Sequence, residues 1–136
     1  MVTQATFELA PYQRGYHLIT DKVMAQLPSL PEHGLLNLFI QHTSAALTIN
    51  ENADPSVRTD LKTFVDKLIP DNDPHFTHTI EGPDDMSAHI KSSLFGPSLT
   101  IPIIQHKLAL GTWQGIFLCE FRNGGLKRKI VATIFH

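Results

Sequence analysis

Apolar positions in this 136-residue chain alternate with polar ones at both ends and recur at helical intervals only in the middle. Phe7 and Leu9 are flanked by polar neighbours, as in a half-buried strand, and "RGYHLIT" is its expected hairpin partner. Thr20 is placed to cap a short helix carrying Val23, Met24 and Leu27, which Pro28 and Pro31 limit. The next strand, "LLNLFIQHT", puts Leu36, Leu38, Ile40 and His42 on one face, so His42 continues an apolar stripe. After it, Asp54 is a good N-cap and Pro55 a good first helical residue. Val57, Leu61, Phe64, Val65 and Leu68 then follow at helical spacing until Pro70.

Residues 71–85, "DNDPHFTHTIEGPDD", are polar, turn-rich and too many for a simple connection, which marks a functional or disordered loop. A shorter helix is predicted over "SAHIKSSLF", starting at Ser87 or an Asp just before it and closed by Gly96 and Pro97. The remainder reads as strands: "SLTIPI", "KLALG", and "QGIFLCEFR" turning through Asn123-Gly124-Gly125 into "RKIVATIF". Helices in the middle with strands at both ends predict one α+β domain over residues 1–136. Its sheets should be largely antiparallel and packed as a sandwich with two to three helices.

Composition narrows the partners. Apolar residues make up 42% and charged ones 18%, and 11 basic against 13 acidic residues leave a net charge of −2. Without a basic excess, neither nucleic acid nor a membrane surface is the expected partner. The single cysteine, Cys119, cannot form an intramolecular disulfide, which fits a reducing compartment. The first residues lack a basic patch followed by an apolar core, and no apolar run approaches a membrane span of about 18 residues. The cytoplasm is the expected location.

Three histidines stand out: His42 at a strand end, His78 in the long loop and His89 in the helix after it. With Glu51, Glu81 and Asp85 near them in sequence, three imidazoles can build an open site for a divalent metal, zinc first among the candidates. The remaining position would hold water or substrate, and the carboxylates would orient the rings or act as bases. The competing reading is that the histidines decorate a polar loop. Glu51 would share a face with Leu47 and Ile49, apolar company that could raise its pKa into general-base range. Glu120 shares a face with Ile116 and Leu118, so it needs either a catalytic role or a buried partner such as Arg122, Arg128 or Lys91. For Asp54, capping outweighs catalysis.

"LGTWQG" lacks the spacing of a phosphate loop, which leaves Trp113 packing in the core, at a subunit contact or against a pocket. No GxSxG elbow accompanies Ser44, and Cys119 sits in mid-strand, so neither is an expected nucleophile.

The blocks "HTSAALTINENADPSVRTDL", "EGPDDMSAHIKSSLFGPSLTIPI" and "LALGTWQGIFLCEFRNGG" resemble the YjbQ family of small bacterial and archaeal proteins, from about Phe7 to His136. The resemblance implies an α+β fold, a homotrimer with active sites near subunit boundaries, and a secondary thiamine-phosphate synthase activity. By position, the family's histidines fall on His42, His78 and His89, and its acidic companions on Glu51, Asp54, Asp85 and Glu120. The chain departs from the pattern at "DDMSAH", where relatives often carry an asparagine, and at Lys107, where a turn residue is common. The implied reaction joins an aminopyrimidine methyl diphosphate to a thiazole phosphate and releases pyrophosphate. The expected partner is thus a small phosphorylated substrate. Two alternatives stand beside it: a metal-dependent hydrolase of a phosphorylated small molecule, and a non-enzymatic metal-binding trimer.

Overall fold

The computed structural model describes residues 1–136 in the order β1 (Val2–Leu9), β2 (Gly15–Leu18), α1 (Thr20–Gln26), β3 (His33–Ile40), β4 (Ala45–Glu51), α2 (Pro55–Leu68), α3 (Asp85–Phe95), β5 (Ser98–Ile104), β6 (Lys107–Leu108), β7 (Gln114–Glu120) and β8 (Arg128–Phe135). Every strand pair is antiparallel. One sheet has the order β1-β8-β3-β5-β6 and the other β2-β7-β4, giving an α+β fold with three helices.

Alternation decides what each sheet buries. Leu36, Leu38 and Ile40 of β3 join Ile101, Ile103, Ile130, Ala132 and Ile134 on the inner face of the five-stranded sheet. They meet Ala45, Leu47, Ile116 and Leu118 of the smaller sheet. The other face of the smaller sheet, through Ala46, Phe117 and Cys119, packs under Ala88 of α3 and Leu61 of α2. Strand β7 is therefore covered on both sides, which is why "GIFLCE" is apolar almost without a break.

Both expected hairpins are absent. β1 pairs with β8 and β2 with β7, so the chain crosses between sheets after Leu9 instead of folding back. The Asn123-Gly124-Gly125 turn makes a second crossing, because β7 and β8 also lie in different sheets. Gly124 and Gly125 have φ of 85° and 54°, and a side chain at Gly125 would meet the carbonyl of Tyr12 at 2.6 Å.

Local expectations fare better. Asp54 caps α2 by accepting from the N–H of Ser56 at 2.9 Å, with Pro55 in the first turn. Helix α3 starts at Asp85 and ends at Gly96, whose φ is 100°. Thr20 does not cap α1; its hydroxyl accepts from the N–H of Ile116 at 2.9 Å and ties the helix to β7. Trp113 is 65% exposed and is no part of the core. No helix is long and apolar enough to cross a membrane.

Candidate metal centre

Three segments converge at one end of the sandwich: the link 41–44 between β3 and β4, the loop that carries His78, and the first turns of α3. They line a cleft of about 450 Å³ with Gln41, His42, Thr43, Ser44, His78, Glu81, Asp85, His89, Arg122, Leu126 and Arg128. His78, Asp85 and His89 therefore meet within one chain.

Asp85 and His89 lie four residues apart on α3, which puts them on one helical face. Oδ2 of Asp85 is 2.7 Å from Nε2 of His78 and 3.0 Å from Nε2 of His89. The orientation of His89 is fixed from behind, because its Nδ1–H donates to the carbonyl of Thr43 at 2.8 Å. In the neutral ring, Nε2 then turns a lone pair toward the Asp85 carboxylate. Two lone pairs at that distance repel unless a proton or a cation lies between them. One ring nitrogen each of His78 and His89 and a carboxylate oxygen of Asp85 all lie within 4.8 Å of one another. Two imidazole nitrogens and one carboxylate are a donor set that suits zinc or iron and leaves coordination positions open.

Arg122 braces the carboxylate from the other side. Its guanidinium donates to Oδ1 of Asp85, to Oδ2 of Asp84 at 3.0 Å and to the carbonyl of Glu81 at 3.0 Å. Asp85 is almost wholly buried. Burial alone would raise its pKa, but the hydrogen bond with His78 and the charges of His89 and Arg122 hold it below the usual carboxylate range. It is thus an anion in place, suited to ligation and poorly suited to act as a free base.

The remaining expected site residues separate into different roles. His42 reaches the same cleft from beyond the end of β3, but its Nε2 accepts the backbone N–H of Lys129 at 2.8 Å. That nitrogen is engaged, and Asp85 takes the place expected for His42 beside His78 and His89. Burial and the neighbouring positive charge of Arg128 lower the His42 pKa, so the ring is neutral at pH 7.

Glu120 is not a free base. Arg128 donates to both of its oxygens, from Nε at 2.8 Å to Oε1 and from a terminal nitrogen to Oε2, and both residues are buried. Glu51 lies at the far end of β4, about 20 Å of extended strand from Ala45 at the cleft end. It accepts from the N–H of Asp54 at 3.2 Å and is not among the cleft residues. Lys91 is fully buried on α3 but faces Asp66 of α2 at 2.6 Å, outside the cleft.

Two contributors carry no side-chain signal: the Thr43 carbonyl and the Lys129 amide. From sequence, Asp85 carries an orienting or basic role, not a ligand's; its place beside His89 is legible, since an acid and a histidine four apart on a helix share a face.

A family model described as UPF0047 protein YjbQ-like matches residues 5–136. The UPF0047 protein YjbQ of Salmonella typhimurium is 52% identical over 133 residues, and that of Escherichia coli O157:H7 is 48% identical over 133 residues; in each case the match covers 96% of both chains. Among solved structures, a conserved hypothetical protein from Thermus thermophilus superposes with a TM-score of 0.81 at 38% identity, covering 93% of this chain and 96% of that one. An uncharacterised conserved protein of Clostridium acetobutylicum gives 0.81 at 37% identity, over 96% of this chain and 98% of the other. Fold and near full-length similarity agree: the chain belongs to the YjbQ (UPF0047) family.

Proposed function

We propose that the cleft is a divalent-metal active site and that the protein is an enzyme acting on a small phosphorylated substrate. The observation that carries this reading is the convergence of Nε2 of His78 and Nε2 of His89 on one buried oxygen of Asp85, with Nδ1 of His89 already committed to the Thr43 carbonyl. Bound there, a divalent ion supplies a Lewis acid able to neutralise a departing phosphate or to acidify water. The chain's own part is to hold His78, Asp85 and His89 in place through Arg122 and the Thr43 carbonyl. The specific reaction proposed is thiamine-phosphate synthase-like: an aminopyrimidine methyl diphosphate joins a thiazole phosphate and pyrophosphate leaves.

A second reading, hydrolysis of a phosphorylated small molecule, is favoured by one feature. Arg122 and Arg128 are both paired with carboxylates, so their charge is largely neutralised and the cleft offers no arginine free of a counter-ion to cradle a diphosphate.

We further propose a homotrimer. The outer face of the five-stranded sheet supports it, since Val2, Leu35, Phe39 and Phe135 stand exposed there without a covering layer.

The first test is metal content per chain on untagged protein, beside His89→Ala and Asp85→Asn. A value near one in the parent and near zero in both variants supports the centre. Metal-free parent protein after incubation with zinc, manganese and iron(II) would overturn it. Pyrophosphate release from the two thiamine precursors, set against phosphate release from a panel of phosphomonoesters, separates the two reactions.

A further inference from the structure

The link that brings His42 into the cleft also fixes which of its nitrogens holds the proton. Nε2 accepts the main-chain N–H of Lys129 at 2.8 Å, and an imidazole nitrogen that accepts a hydrogen bond carries a lone pair and no proton. In the neutral ring the proton is therefore on Nδ1. That atom has no partner within the chain and is not among the sealed, unpaired polar atoms, so it is open to solvent on a residue that lines the cleft. A backbone amide imposes this tautomer for as long as the ring keeps this orientation.

We infer that His42 is a fixed Nδ1–H donor to an anionic oxygen of the cleft's ligand, of the phosphate or carboxylate class, and not a metal ligand. The inference rests on the metal-centre reading only for what lies opposite: His78, Asp85 and His89 stand together on the α3 side of the cleft, and His42 faces them from the 41–44 link. Arg122 spends its donors on Asp84, Asp85 and the Glu81 carbonyl, and Arg128 spends Nε and one terminal nitrogen on Glu120 and the Ser44 carbonyl. Nδ1–H of His42 is thus an uncharged donor in the cleft with no partner in the chain to give up before it orients an oxygen. The donor is uncharged, so it selects by direction rather than by field.

Nitrogen NMR of histidine-labelled protein tests this directly, with zinc(II) and inorganic phosphate as probes. Nε2 of His42 is expected to read as the unprotonated nitrogen with and without zinc(II), while phosphate perturbs Nδ1. His42→Gln should keep zinc(II) affinity within about threefold of the parent, whereas loss of an outer partner of a ligand costs 10–100-fold. The same variant should bind phosphate roughly tenfold more weakly, as expected for one lost hydrogen bond. A zinc-induced shift at Nε2 of His42, a proton on that atom, or unchanged phosphate affinity in His42→Gln overturns the inference. Absence of zinc-induced shifts at His78 and His89 overturns the metal reading instead, and the tautomer and phosphate measurements then decide His42 by themselves.

Discussion

Arg128, the first residue of β8, grips both carboxylate oxygens of Glu120, the last residue of β7, and neither side chain is more than 1% exposed. The two strands belong to different sheets, so this ion pair ties the layers together at the end where the cleft opens. Arg128 also donates to the carbonyl of Ser44 at 3.2 Å, which anchors the 41–44 link.

Breaking that pair from one side should be costly. Arg128→Met leaves a buried carboxylate without its partner, and the expected loss is about 3–5 kcal/mol in urea unfolding. The double variant Arg128→Met/Glu120→Leu should recover most of it, since apolar replacements of similar volume are often neutral in such positions. If Glu120→Gln left stability unchanged while abolishing turnover, Glu120 would have to be read as a catalytic group after all.

Arg122 makes a separable prediction. It holds Asp84, Asp85 and the Glu81 carbonyl at once, so under the proposed metal reading it positions Asp85 without itself touching the ion. Arg122→Met should weaken zinc(II) binding by about 10–100-fold, the usual effect of losing an outer partner. Arg122→Lys should restore little, because an ammonium cannot reach three acceptors in one plane. Competition with a chromogenic chelator reads both values.

Cys119 should be inert in the native protein. It lies on β7 with no exposure, and burial pushes its thiol pKa far above the ordinary range, so almost no thiolate exists at pH 8. Alkylation by iodoacetamide should therefore proceed only as fast as the protein unfolds. Rapid labelling under native conditions would mean that α2 and α3 open from the sheet beneath them.

The contrast between α2 and β1 explains how much was legible in advance. Asp54, Pro55 and the apolar steps to Leu68 are local signals, and α2 begins and ends where they say. The α+β class with antiparallel sheets likewise follows from alternation. A partner strand is not a local property: β1 pairs with β8, more than 100 residues away by register, and nothing in "FELAPYQRGYHLIT" distinguishes that from a hairpin. The NGG turn marks a reversal but not the change of sheet that accompanies it. The site divides in the same way. His78, Asp85 and His89 were visible as chemistry, but the nitrogen of His42 that is engaged depends on a backbone amide 87 residues away.

Acid should unfold this protein through the network on its helical side. Asp66 of α2 receives Lys91 at 2.6 Å, Lys62 at 2.8 Å and Arg14 at 3.0 Å, and Asp71 receives Arg14 at 2.7 Å together with the Ser87 hydroxyl. Burial works to raise both carboxyl pKa values, but these hydrogen bonds and charges outweigh it, and both lie below the ordinary carboxylate value. A depressed native pKa means that the unfolded chain takes up protons first. The stabilisation is therefore complete above the unfolded value of about 3.9 and is lost as pH falls through the native values. Thermal midpoints should be nearly flat from pH 7 to pH 5 as far as these two groups are concerned, then fall steeply below about pH 4. Asp66→Asn should lower the midpoint at pH 7, because buried Lys91 then loses its hydrogen-bonded counter-charge and keeps only the more distant Asp71, and should flatten the fall below pH 4. An unchanged acid slope in that variant would mean that other carboxylates, with Asp84 and Asp85 the nearest candidates, govern acid unfolding.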